Sequence, residues 1–172
     1  MKNTAINSLK YTGIVTISQY IGRKKIKIAQ IHNAGGDSLF EFLASSLIGD
    51  FAMAKVLRPT KIMLLQQENT VDSPVYTTLD NAEFYYLLTR PEKITSVGSS
   101  RIKYSFLIPK TVIDNLADFT NLSIGLYADA AKSTTPNDYA AVCNLGISKN
   151  NVVSASLVVD WELVISNTKT TE

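Results

Sequence analysis

A single cysteine, Cys143, in 172 residues excludes an internal disulfide, so nothing in the fold depends on an oxidising compartment. One histidine, His32, is too few for the clustered His and Cys ligand sets from which zinc sites are built. Charge of one sign is lacking as well. Seventeen basic against fifteen acidic residues give a formal net charge of +2, so net charge supplies no reason to bind nucleic acid or an anionic membrane. No window approaches the roughly 18 to 20 apolar residues of a membrane helix, and MKNTAINSLK at the start holds no apolar run of signal-peptide length. The expectation is a chain folded in a reducing cytosol, with no cofactor, no metal and no membrane.

What is there is a normal core for one domain, with 45% hydrophobic and 19% charged residues. One amphipathic helix stands out in DSLFEFLASSLIGDF. Leu39, Phe40, Leu43, Leu47 and Phe51 fall on a stripe at helical spacing, Ser38 and Glu41 have capping-box spacing, and Gly49 is a suitable stop. The helix is therefore expected near residues 38–49, followed after Arg58-Pro59 by a buried strand over Lys61 to Gln66.

Elsewhere the period is two. Tyr11–Tyr20 and Lys24–His32 read as an antiparallel hairpin turned by Gly22-Arg23. A short strand fits Val75–Thr78, and Glu83 to Thr89 reads as an apolar strand covered on both faces. Ile102, Tyr104, Phe106 and Ile108 alternate cleanly with polar residues after a turn at Ser96–Ser100. Val112 to Phe119 has helical potential, but Asp114, Asn115 and Asp118 fit a short turn or a single helical turn equally well. Leu122–Tyr127 reads as a strand interrupted by Gly125, Tyr139–Ile147 as a strand and Lys149-Asn150-Asn151 as a turn. Ser154–Ser166 is the last strand, with Val159, Trp161 and Leu163 facing one way and Asp160 and Glu162 the other. The fold class that follows is mainly β: an antiparallel β-sandwich, Ig-like or jelly-roll-like, with one helix. Residues 1–10 form an N-terminal arm, 11–166 the domain and 167–172 a polar, frayed tail.

Candidate chemistry is sparse. His32 reads as a side chain that hydrogen-bonds its turn, and Cys143 as a small buried apolar residue. Asp160 and Glu162 share a strand face at glycosidase-like spacing, but a solvated sheet face is the simpler reading. Gly35-Gly36-Asp37 lacks the G-x-x-x-x-G-K-[ST] pattern of a phosphate cradle. Phe84, Tyr85 and Tyr86 read as core. Two regions remain as partner contacts: the basic cluster Arg23, Lys24, Lys25 and Lys27, and the polar loop from Asp129 to Asp138.

The order of motifs carries more than any single residue. YTGIVTISQYIGRKKIKIAQIHNAGGDSLFEFLASSLIGDF, then RPTKIMLL, YSFLIPKTVI, SIGLYAD and a closing SLVVDWELVIS span most of residues 11–166. Together they resemble small β-rich structural proteins encoded in the virion gene clusters of tailed bacteriophages. The resemblance implies a non-enzymatic virion component made in the host bacterial cytoplasm. Its partners would be other virion proteins, foremost the major capsid protein, and it would be a homo-oligomer within a symmetric assembly. A capsid-associated auxiliary or decoration protein is the first expectation. A tail, baseplate or fibre-adaptor protein is the second. A carbohydrate-binding domain, with Trp161 and tyrosines as stacking platforms, is the reading from another class.

Overall fold

The computed structural model describes residues 6–33, 37–68, 75–79, 83–97, 99–132, 138–152 and 154–170. Two antiparallel sheets pack face to face around one apolar core. The first sheet begins with a long hairpin, β1 (Ile6–Ile21) and β2 (Lys24–Asn33). Gly22 turns it with φ +62°, a conformation glycine adopts without the Cβ clash that other residues meet. β1 also pairs along most of its length with the last strand, β10 (Leu157–Thr170). β7 (Ser99–Ile108) and β6 (Glu92–Ser96) complete this sheet, in the order β2-β1-β10-β7-β6.

Between the hairpin and the second sheet lie α1 (Asp37–Ile48) and α2 (Phe51–Leu57). The second sheet has the order β4-β3-β8-β9, from β3 (Pro59–Glu68), β4 (Val75–Thr78), β8 (Leu122–Ala128) and β9 (Ala141–Ile147). A two-residue strand, β5 (Tyr85–Tyr86), joins β3 on the same side as β4. Leu87 then bridges to Phe106 of β7, so this segment closes one side of the sandwich. A short helix, α3 (Lys110–Asn115), and a 3-10 turn (Lys149–Asn151) fill connections.

The period-two pattern sets the core. Val15 and Ile17 of β1, Tyr104, Phe106 and Ile108 of β7, and Val159, Trp161 and Leu163 of β10 point inward and are buried. They meet Ile62 and Leu64 of β3 and Ile124 and Leu126 of β8. The other face of β3 and β8 is covered too. Met63, Leu65, Tyr76 and Tyr127 form a second cluster with Phe84 and Tyr139, in which Phe84 meets Tyr127 and Tyr76 meets Tyr139 edge to face. Residues 59–65 of β3 are buried throughout for this reason, which is the buried strand expected after Arg58-Pro59. β8 runs unbroken through Gly125, because that position leaves room for the Tyr127 ring: a Cβ there would lie 2.5 Å from Cε2.

Several expectations are corrected. The β1–β10 ladder runs from Gln19↔Leu157 to Ile6↔Thr170, so strand pairing enters both the segment read as an arm and the segment read as a frayed tail. Antiparallel partners satisfy backbone groups whatever the polarity of their side chains. Asp50 starts a second helix after Gly49 (φ +79°), its carboxylate accepting from the Met53 N–H at 3.1 Å. Phe51 therefore belongs to α2 and is out of phase with α1. The Glu83–Thr89 strand shrinks to two residues, with Tyr86 and Leu88 open to water. β6, which pairs with β7, has no counterpart in the sequence reading because all five of its residues are exposed and show no apolar alternation. The Ser38 cap and residues Ala34 to Gly36 lie outside the described side chains.

Candidate interaction surfaces

Among its described side chains α1 buries a narrow line, leaves Leu43 half-buried and exposes most of the others. Leu39 is fully buried, Phe42 packs partly against the core and Ser45 is buried, positions spaced at i, i+3 and i+6. The stripe expected to face the core holds only in part: Leu39 is buried and Leu43 half-buried, but its other three members turn outward. Phe40 is 51% exposed, Leu47 78% and Phe51 77%, and Ile48, Met53 and Val56 are exposed beside them. In α2 only Ala54 is buried. Large apolar side chains at such exposure over two neighbouring helices are the kind of surface that marks an interaction site.

The base of the Asp129–Asp138 loop adjoins these helices. The Asp129 N–H donates to the Arg58 carbonyl at 3.0 Å, and the Ala130 N–H reaches the Val56 carbonyl at 3.4 Å. The Thr60 hydroxyl donates to the Asp129 carboxylate at 3.0 Å. Lys61 is buried yet satisfied: its ammonium lies 4.2 Å over the Phe84 ring and donates to the carbonyls of Asp129 at 3.0 Å and Ala131 at 2.5 Å. Asp129 is thus held as an anchor. Residues 133–137 of the expected exposed tip lie outside the described residues, and Asp138 is exposed at its far end.

The basic cluster divides. Arg23 and Lys24 are exposed at the hairpin end, and Lys27 donates to the Gln30 side chain at 2.9 Å. Lys25 reaches across the outer face of the first sheet to Asp160, at 2.9 Å. Lys103 stands 3.4 Å from the same carboxylate oxygen, and the Ser105 hydroxyl donates to the other at 2.7 Å. Asp160 therefore has only 7% of its surface exposed, which corrects the reading of a fully solvated face; Glu162 beside it is half-buried and pairs with Arg101 at 3.4 Å. Burial by itself raises the Asp160 pKa, but the hydrogen bonds from Ser105 and Lys25 and the two lysine charges outweigh it and hold the carboxyl below its ordinary value. A shallow groove of about 480 Å³ borders this network, with Tyr20, Leu88 and Leu107 among its walls.

A pH dependence follows from that network. The folded state holds the Asp160 proton less tightly than the unfolded chain does. Its stabilisation is complete above the unfolded carboxylate pKa of about 3.9 and is lost as pH falls through the depressed folded value. Because both lysines are partly exposed, solvent screening limits the contribution, and Asp160→Asn is expected to cost about 1–2 kcal/mol at pH 7. Urea unfolding of both proteins from pH 7 to pH 2.5 reads it: their midpoints should converge at the acid end, and a constant gap would contradict the assignment.

Two further residues stand in different settings. His32 is exposed on edge strand β2, opposite Ile14, whereas Cys143 is buried in β9 with its thiol in the core, where burial pushes it up to about 12. They form no dyad. Trp161, read as a carbohydrate platform, is fully buried beneath the first sheet and presents no face to a sugar. Among the described residues no group of three or more His, Cys, Asp or Glu side chains comes together, and no helix is long and apolar enough to cross a membrane. Compared with protein-family models, with curated proteins and with solved structures, the chain matches none.

Proposed function

We propose that this protein is a non-enzymatic structural component of a tailed-bacteriophage virion, a capsid-associated auxiliary or decoration protein that works by binding neighbouring subunits. The observation that carries the reading is the apolar face of α1 and α2, with Phe40, Leu47, Ile48 and Phe51 open to water. A surface of this kind stabilises contacts by removing apolar area from water, at about 25 cal/mol per Å² before the costs of association, and needs no polar constellation to do so. The motif order from YTGIVTIS to SLVVDWELVIS supports placing that contact in a virion. Symmetry then multiplies a modest single contact.

The sheet edges support the same mode of action. Lys24, Lys25 and Lys27 line edge strand β2, and β6 carries Glu92 and Lys93 at the opposite edge. Charged residues discourage strand addition at both edges of this sheet. The basic cluster thus guards an edge, while the anchored start of the Asp129–Asp138 loop borders the helices and shares their surface. Localisation is in the particle, with the major capsid protein as the partner of the assembled state. Quantifying the chain in purified particles tests the proposal, with copies comparable to the major capsid protein expected.

A further inference from the structure

The α1–α2 face also carries a statement about its first occupant, which rests on the assembly reading above. We propose that in the absence of other virion proteins this face pairs with the same face of a second copy of the chain, in a twofold dimer. Phe40, Leu47 and Ile48 of α1 and Phe51 of α2 are each more than half open to water, on the order of 500 Å² together, against the roughly 800 Å² that each partner gives to a standard interface.

Its charge fits a copy of itself better than a charged partner. In a twofold contact every group meets the same surface, so a face of one sign repels itself. Among the described side chains of residues 39–58, the exposed charged residues flanking these apolar positions are Glu41, Asp50, Lys55 and Arg58, two acids and two bases. That set sums to zero and lets the acids of one copy meet the bases of the other. Within α1 the sequence holds no charge from Phe42 to Ile48, so Leu47 and Ile48 stand clear of charged neighbours on their own helix. An anionic surface such as nucleic acid or lipid would call for an excess of bases that this face does not have.

Sedimentation of the purified full chain across the micromolar to millimolar range tests the pairing. A concentration-dependent dimer is expected. Leu47→Glu with Phe51→Glu should raise its dissociation constant on the order of 100-fold while leaving circular dichroism unchanged, and melting unchanged at concentrations where both proteins are monomeric, since both side chains are exposed in the monomer. Lys55→Glu keeps every apolar contact and upsets only the balance of charge, so it should weaken the dimer at low salt and recover at high salt. A chain that stays monomeric at all concentrations overturns the pairing, as does a dimer indifferent to the double substitution. So does a monomer that floats with neutral lipid vesicles through this face. A monomer found abundantly in particles would overturn the pairing alone, and a dimer absent from particles would overturn the assembly reading alone.

Discussion

Replacing Trp161 with alanine is expected to remove about 3–5 kcal/mol of stability, the range for deleting a large aromatic from a packed core. Trp161 is fully buried and is the largest of the fully buried side chains. It sits on β10, the strand flanked by β1 and β7, and its register neighbours are Val15 and Tyr104, both inward-facing and buried. Deleting the indole leaves a void between two sheets, and strands tied into long ladders cannot collapse to fill it. For a chain of this size the melting temperature should fall on the order of 10 °C. Trp161→Phe gives a graded control. The indole Nε1 is buried and makes no hydrogen bond, so phenylalanine sacrifices volume without sacrificing a polar contact, and most of the loss should be restored. A loss below about 1 kcal/mol for Trp161→Ala would mean that the two sheets do not pack on this residue.

The second large effect comes from adding a single carbon. Gly125 has ordinary strand backbone, so its requirement is for space. An added Cβ would lie 2.5 Å from Tyr127 Cε2 and 2.9 Å from Cζ and the hydroxyl oxygen. A tyrosine tip at the surface would swing aside, but Tyr127 is fully buried, packed edge to face on Phe84 at 5.2 Å between centroids. Burial also raises its hydroxyl pKa above the ordinary tyrosine value. Gly125→Ala should therefore cost about 1–3 kcal/mol through overpacking, although alanine normally suits a strand better than glycine. A double-mutant cycle with Tyr127→Ala separates the causes. With the ring gone, the Gly125→Ala penalty should disappear or reverse, giving a coupling energy of about 1–3 kcal/mol. Additive effects would show that Gly125 matters for some reason other than the ring.

These two sites mark where sequence patterning succeeds and where it stops. Alternation in SLVVDWELVIS fixes which side of β10 is apolar, and the structure places Val159, Trp161 and Leu163 inside accordingly. The mainly β, two-sheet architecture follows from the same period, and the hairpin turn at Gly22 and the helix stop at Gly49 follow from the left-handed backbone that glycine accepts. A period tells which residues share a face. It does not tell what covers that face. Asp160 lies on the polar side of its strand and is nonetheless buried, because Lys25 and Lys103 reach it from β2 and β7. The same limit hid the helical surface: Phe40 and Leu47 have the spacing of a core stripe, yet the sandwich is already filled by Leu39 and the strands. α2 escaped because seven residues after a glycine stop look like a connection, and β6 because an exposed edge strand of five residues has no apolar face to betray it. Lys61 is the reverse case. Nothing in its neighbours announces that a buried lysine will hold the carbonyls of a loop some seventy residues away.

The sandwich thus presents a guarded edge at β2, an anchored loop at Asp129 and an apolar helical face beside it. The most direct test of the proposed virion role is the number of copies of this chain per purified particle, measured by quantitative mass spectrometry against the major capsid protein. On the order of hundreds of copies, as symmetry on a capsid shell requires, is the predicted result. A few to a few tens would transfer the protein to the tail or its adaptors, and its absence from particles would contradict the account.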